Sequence, residues 1–203
     1  NGIDISSLLP GLRSIGLSNI DLSIIIVNYK SWSVLTECLD SFDRYTPKLN
    51  YEIIVVDNDS QDGEIEPFSE KYPQVNFKKN TGNNGFAHGC NLGADNSRGK
   101  YLLFLNPDTV LTNSAAIDEL FNFAQHNPNV GITSCRRINP KGKPEREIAF
   151  ANPWLIISWI RAIYKLVNKA KIQKKFPENE MIWYPDWIAG SVVLIEKKLF
   201  NKI

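Results

Sequence analysis

Apolar and polar residues alternate in blocks along the first two thirds of the chain. Leu22–Asn28 (LSIIIVN) and Tyr51–Asp57 (YEIIVVD) are short apolar runs that each end in a polar residue, as strands buried on both faces do. Tyr101–Asn106 is a third run. Pro107 follows it and has no N–H for a ladder, so the strand is expected to stop at Asn106. Val75–Lys78 and Val130–Cys135 read as shorter strands, and Val192–Ile195 as the last. Between the strands, Trp32–Arg44 carries apolar residues at 32, 35, 38, 39 and 42, a helical spacing. Ile65–Tyr72 predicts a helix that ends before Pro73. Phe86–Ser97 predicts a helix of small residues. Ser114–His126 is amphipathic, with Ile117, Leu120, Phe121 and Ala124 on one face and Pro128 beyond its end. Strands alternating with helices of roughly ten to fifteen residues predict an α/β fold with a mostly parallel central sheet flanked by helices.

The pattern changes near Asn139. Pro140, Gly142 and Pro144 mark a loop, and residues 154–167 (WLIISWIRAIYKLV) form an apolar helical stretch. Arg161, Lys165, Lys169, Lys171, Lys174 and Lys175 follow along it with no acidic residue among them, giving an amphipathic helix over 153–175. This helix fits either a core element with a solvated lysine face or an interfacial segment on anionic lipid, with Trp154 and Trp159 at headgroup depth. The expected organisation is a leader or linker over 1–20, an α/β portion over 21–135, and a further portion of the same domain over 136–203.

Composition narrows the class. The 203 residues are 43% hydrophobic and 22% charged, ordinary for a globular domain, and the net charge of +1 gives no argument for nucleic acid. Cys38, Cys90 and Cys135 are dispersed and no CxxC occurs, so a cytoplasmic, reducing compartment is expected, without a zinc site or disulfide framework. No apolar stretch reaches the roughly eighteen residues of a membrane span. The start at Asn1-Gly2 and the stop at Ile203 read as cut ends, so a C-terminally truncated chain is expected.

Candidate chemistry sits where strands end. Asn106 and Asp108 are two oxygen ligands two residues apart at a carboxyl-terminal strand edge, where open α/β sheets bind ligands. They suit a hard cation carrying phosphates, Mg²⁺ or Mn²⁺, and equally a plain turn. The loop Asn28-Tyr29-Lys30-Ser31-Trp32-Ser33 has no glycine, which argues against a dinucleotide-dependent oxidoreductase, and the Walker pattern is absent. Phosphates would therefore need a metal or later loops. Asp57-Asn58-Asp59-Ser60-Gln61-Asp62-Gly63 offers acceptors for a base or ribose, or an Asx-turn before the next helix; the EF-hand register fails. In Asn80–Asn91, Asn84-Gly85 favours positive φ, and Ala87 and Gly89 permit close approach to a ligand or the sheet. His88 reads as a structural histidine, and His126 as a cation on a helix C-terminus.

Taken together, Ile24–Tyr29, Val55–Ser60, Asn83–Asn91 (NNGFAHGCN) and Phe104–Asp108 (FLNPD) resemble the family 2 glycosyltransferases of the GT-A fold, most closely a rhamnosyltransferase-like branch. Asp186–Ser191 (DWIAGS) resembles the acceptor-side segment of that branch. The resemblance implies an inverting transfer from a nucleoside-diphosphate sugar, with rhamnose the first guess, to a glycan or lipid-linked acceptor in cell-surface polysaccharide synthesis at the inner face of a bacterial membrane. It implies that Asn28, Tyr29, Asp57, Asn58, Ser60, Asn84 and Asn106 bind the donor. Asp186, Trp187 and Gly190 lie on the acceptor side, and Asp108 holds a divalent cation, Mg²⁺ or Mn²⁺. Asn106 stands where many members carry the first carboxylate of the metal motif, a usual variant in this branch. The general base is expected beyond Ile203. A non-catalytic nucleotide-sugar-binding fragment is therefore the second expectation.

Overall fold

Every residue of β1 (Leu22–Asn28) is buried, because both of its faces are covered. Leu22, Ile24 and Ile26 join one apolar cluster, and Ile25 and Val27 join another, as the two-residue period of a strand requires. β2 (Tyr51–Asp57) and β4 (Tyr101–Leu105) flank β1 in parallel, and β3 (Val75–Lys79) adds in parallel outside β2. On the other side β6 (Val192–Glu196) pairs antiparallel with both β4 and the two-residue β5 (Ile132–Thr133). The order is β3-β2-β1-β4-β6-β5, a mostly parallel six-stranded sheet.

This computed structural model describes residues 19–139, 142, 163, 164, 166, 167, 182, 184 and 188–203. The chain divides into two compact units, Asn1–Thr133 with Ser191–Ile203, and Ser134–Gly190. In the first, α1 (Trp32–Arg44) and α4 (Ala116–His126) bury Leu35, Cys38, Leu39, Phe42, Ile117, Leu120 and Phe121 in the cluster that holds Ile24 and Ile26. α3 (Phe86–Asp95) sets Cys90 and Ala94 against Ile25, Val27 and Phe104. Its buried stripe of Gly89, Cys90, Gly93 and Ala94 lets it lie close on β1. A Cβ at Gly89 would stand 2.7 Å from Val27 Cγ1, and one at Gly93 would collide with Ile25 Cγ2. α2 (Ile65–Lys71) and α5 (Lys197–Phe200) complete the described helices of this unit.

The boundaries of β1, α1 and β2 coincide with those expected. The strand expected over Val130–Cys135 contracts to Ile132–Thr133, which pairs only with Leu194 and Ile195. β4 stops at Leu105, one residue early, because the Asn106 carbonyl already accepts the Thr109 N–H at 3.1 Å in a turn. α4 starts two residues later than expected, at Ala116. In the second unit, residues 163, 164, 166 and 167 are helical and exposed, Leu166 at 80%. The rest of the helix expected over 153–175, and residues 1–18 of the expected leader, lie outside the described residues. No helix among the described residues is long and apolar enough to cross a membrane.

Burial pushes the Cys90 thiol from an ordinary 9.0 up to about 12. Cys38 rises likewise to about 12, through burial first and then the nearby Asp108 carboxylate. An unfolded chain loses these protons near pH 9 while the native chain keeps them. The stability the two thiols contribute is therefore full below about pH 9 and is lost as pH rises toward about 12. A thiol reagent at pH 8 is expected to label the exposed Cys135 in the native chain, and Cys38 and Cys90 only after unfolding. Gly89→Ala tests the helix–sheet contact. In a free helix the change would stabilise by about 1 kcal/mol, but overpacking against Val27 is expected to lower stability by about 1–3 kcal/mol in urea unfolding. Adding Val27→Ala should relieve the overpacking part of that loss. A rise in stability for the single variant would place α3 farther from β1.

Candidate functional site

The parallel strands run outward from β1 in opposite directions, to β2 and β3 on one side and to β4 on the other. Such a reversal of strand order opens a crevice at the carboxyl ends of the strands flanking it, here β1 and β4. Asn28 ends β1, Asp57 ends β2 in register with it, and Asn106 follows β4. The chain leaves β1 and β2 through left-handed backbone at three non-glycine residues, Lys30 (φ 52°), Asp59 (φ 65°) and Gln61 (φ 55°). Each is an uncommon conformation for such a residue, and together they bend two loops across one edge.

Side chains lock these bends. Asp57 is 2% exposed; its carboxylate accepts the Ser60 hydroxyl at Oδ1 and the Ser60 N–H at Oδ2, 3.2 Å. Ser60 Oγ in turn accepts the Lys30 N–H at 2.9 Å, joining the β2 loop to the β1 loop. Asn28 Oδ1 accepts the Ser31 N–H at 3.3 Å, and the Asn28 carbonyl accepts the Asn58 N–H at 2.8 Å. Trp32 Nε1 donates to Asp62 Oδ2 at 2.9 Å, tying the far end of the second loop to α1.

A second layer consists of amides. Asn58, 3% exposed, donates from Nδ2 to Asn83 Oδ1 at 2.7 Å and accepts Asn80 Nδ2 at Oδ1, 2.8 Å. Asn80 Nδ2 also lies 2.9 Å from His88 Nδ1, and Asn83 Oδ1 accepts the Gly85 N–H at 3.3 Å. Gly85, at φ 87°, makes the left-handed turn expected of Asn84-Gly85 and starts α3.

The residues expected at the donor thus fall into two groups. Asn28, Asp57, Asn58 and Ser60 come together but are buried, and their side chains bond mainly to protein. Tyr29 is 45% exposed, Asn84 and Asp108 are exposed, and Asn106 is half-buried. Gly190 is exposed in the second unit, while Asp186 and Trp187 lie outside the described residues. Asn80, Asn83 and His88 belong to the arrangement although the sequence did not single them out as ligand-binding; the cluster of four asparagines in 80–91 was the available signal. Ala87 is exposed, so close approach to the sheet falls to Gly89 and Gly93. His126 is in the last turn of α4, with Nδ1 2.7 Å from the Asn122 carbonyl.

Two buried side-chain atoms have no hydrogen-bond partner among the described residues, Asn28 Nδ2 and Ser191 Oγ. Asn28 ends β1 and Ser191 precedes β6, the two strands that flank β4, and the Asn106 N–H donates to the Ser191 carbonyl at 3.0 Å. An unmet buried donor costs about 1–3 kcal/mol, so the edge of β4 is where this fold tolerates unsatisfied polarity. The Asp108 carboxylate makes no hydrogen bond or ion pair among the described residues, which also contain no group of three His, Cys, Asp or Glu able to cage a metal. One unengaged carboxylate beside an amide fits an ion that is shared with substrate phosphates and keeps its waters. Surface cavities of about 440 and 170 Å³ lie elsewhere, beside Lys48 and Asp118 and beside Lys100 and Glu196.

The profile of Glycosyl transferase family 2 matches residues 23–187. The chain is 28% identical over 176 residues to the poly(ribitol-phosphate) beta-glucosyltransferase of Bacillus spizizenii, covering 84% of this chain and 28% of that protein. It is 23% identical over 183 residues to the poly(ribitol-phosphate) beta-N-acetylglucosaminyltransferase TarS of Staphylococcus aureus, covering 88% of this chain and 31% of that one. The chain therefore spans about a third or less of these relatives. Mannosyltransferase PcManGT from Pyrobaculum calidifontis, solved in complex with GDP-Man and Mn²⁺, matches with a TM-score of 0.60 at 18% identity, over 89% of this chain and 46% of that chain. The fold is the GT-A fold expected from the sequence.

Ser60→Ala removes a donor to the buried Asp57 carboxylate and the acceptor of the Lys30 N–H. It is expected to lower unfolding free energy by about 1–3 kcal/mol in urea titration. A neutral result would mean the two loops are not coupled through this hydroxyl.

Proposed function

The chain belongs to glycosyl transferase family 2, and from that premise we propose that the shared edge of β1, β2 and β4 is the donor half of a sugar-transferring enzyme. It binds a nucleoside-diphosphate sugar, and the sugar passes with inversion to a glycan or lipid-linked acceptor in cell-surface polysaccharide synthesis. The observation that carries the reading is the convergence of Asn28, Asp57, Asn106 and Asp108 at the one edge where the strand order reverses. The names of the two curated relatives, both sugar transferases acting on poly(ribitol phosphate), point to a polyol-phosphate or similar cell-wall polymer as the acceptor class. dTDP-rhamnose is the first donor to assay, with UDP-glucose and UDP-N-acetylglucosamine beside it.

In this reading the buried residues Asp57, Asn58 and Ser60 shape the pocket, and the exposed Tyr29, Asn84, Asn106 and Asp108 meet the donor. Tyr29 offers a ring face to the base. Asn84 stands on the loop that covers nucleotide and sugar, and Asn106 supports the diphosphate. Asp108 would hold Mg²⁺ or Mn²⁺, as the complex of the Pyrobaculum enzyme with GDP-Man and Mn²⁺ supports. When bound, a divalent cation supplies Lewis-acid neutralisation of the charge that builds on the departing diphosphate. The basic, apolar stretch over 153–175, with Ile163, Leu166 and Val167 exposed, is the part proposed to rest on the inner face of a membrane.

Asp108→Ala is expected to reduce nucleoside-diphosphate binding in the presence of Mn²⁺ to its metal-free level, read by calorimetry. Because the side chain is exposed, stability should stay within about 0.5 kcal/mol of the parent. Unchanged Mn²⁺-dependent affinity would remove Asp108 from the metal site.

A further inference from the structure

Hydrogen-bond direction fixes the one ambiguous group in the amide layer. The Thr81 N–H donates to Asn80 Oδ1 at 2.9 Å, so the Asn80 nitrogen must face the other way. That nitrogen is 2.8 Å from Asn58 Oδ1 and 2.9 Å from His88 Nδ1. Both of its protons are therefore assigned, His88 Nδ1 accepts, and the imidazole proton sits on Nε2. At the other end the Gly85 N–H donates to Asn83 Oδ1, which also receives the Asn58 proton. Backbone donors thus orient the relay at both ends. His88 joins it from the first turn of α3, a helix held on β1 by the Gly89–Val27 and Gly93–Ile25 contacts.

We propose that His88 is a positioning residue for donor binding. Its unprotonated Nδ1 holds the Asn80 amide in the orientation that serves Asn58, and through Asn58 and Asn83 it sets the loop over residues 80–85 above the strand edge. The inference rests on reading that edge as the nucleoside-diphosphate site. Asn80 is 3% exposed and His88 is exposed, so without an acceptor at position 88 one of the Asn80 protons loses its protein partner at the border between interior and solvent. A flipped amide offers no remedy, because it sets N–H against the Thr81 N–H and oxygen against Asn58 Oδ1, losing both bonds.

The test compares three substitutions. His88→Asn keeps an oxygen where Nδ1 stands, His88→Gln places its acceptor near Nε2 instead, and His88→Leu has none. Two readouts are taken on the full chain: amide hydrogen exchange at Thr81 and Gly85 without ligand, and calorimetric titration with dTDP, UDP and GDP in Mn²⁺. His88→Leu and His88→Gln are expected to speed exchange at both amides and to weaken diphosphate binding by about three- to tenfold. His88→Asn is expected to restore both. Unchanged exchange in His88→Leu, or equal behaviour of the Asn and Gln variants, overturns the proposal. If the parent chain binds none of the three diphosphates, the donor-site reading fails by itself, and the exchange pattern still decides for or against the relay.

Discussion

The constraint on which the rest of the structure depends is the burial of β1 on both faces. A strand with no solvated face has nowhere along its length to carry a polar ligand-binding side chain, so such groups collect where it ends. Asn28, the last residue of β1, is the polar group at that end, and its alignment with Asp57 follows from the parallel register. Placing β2 and β4 on opposite sides of β1 then sends the connections that follow β1 and β4 apart beyond the strand ends.

At this edge the chain commits its buried polar groups to one another. The Asp57–Ser60–Lys30 links hold two left-handed loops in place, and the amide layer from Asn80 to Asn83 holds a third. Where both partners are buried, as at Asp57–Ser60 and Asn58–Asn80, a bond that is lost is not replaced by water. The groups left over, Asp108 and Asn84 among them, are exposed. Shape is thus fixed by the inner residues, and charge is presented by the outer ones.

Much of this fold could be read from the sequence, because two-sided burial writes uninterrupted apolar runs and one-sided burial writes a helical stripe. Both signals are local, and the limits of β1, α1 and β2 follow from them. The direction of β6 is not local: Glu196 pairs with Tyr101, and nothing near Glu196 records that pairing. The candidate site was legible as a set of strand-end loops, while the division between buried and exposed members was not. Asp57 and Asn58 stand in a loop rich in hydrogen-bonding groups, and nothing in that loop's sequence records that both are buried. His88 looks unremarkable in sequence because its partner, Asn80, is on the far side of the intervening turn.

The burial of Asp57 and Asn58 also bears on how related chains are compared. A motif whose side chains face inward preserves the curvature of a loop, and many ligands can share one curvature. On the proposed donor-site reading, two proteins that keep these inner residues can differ in the base they accept while differing only among exposed residues such as Tyr29 and Asn84. Selectivity in such a scaffold would drift through a few surface positions, leaving the inner motif as a record of architecture rather than of diet.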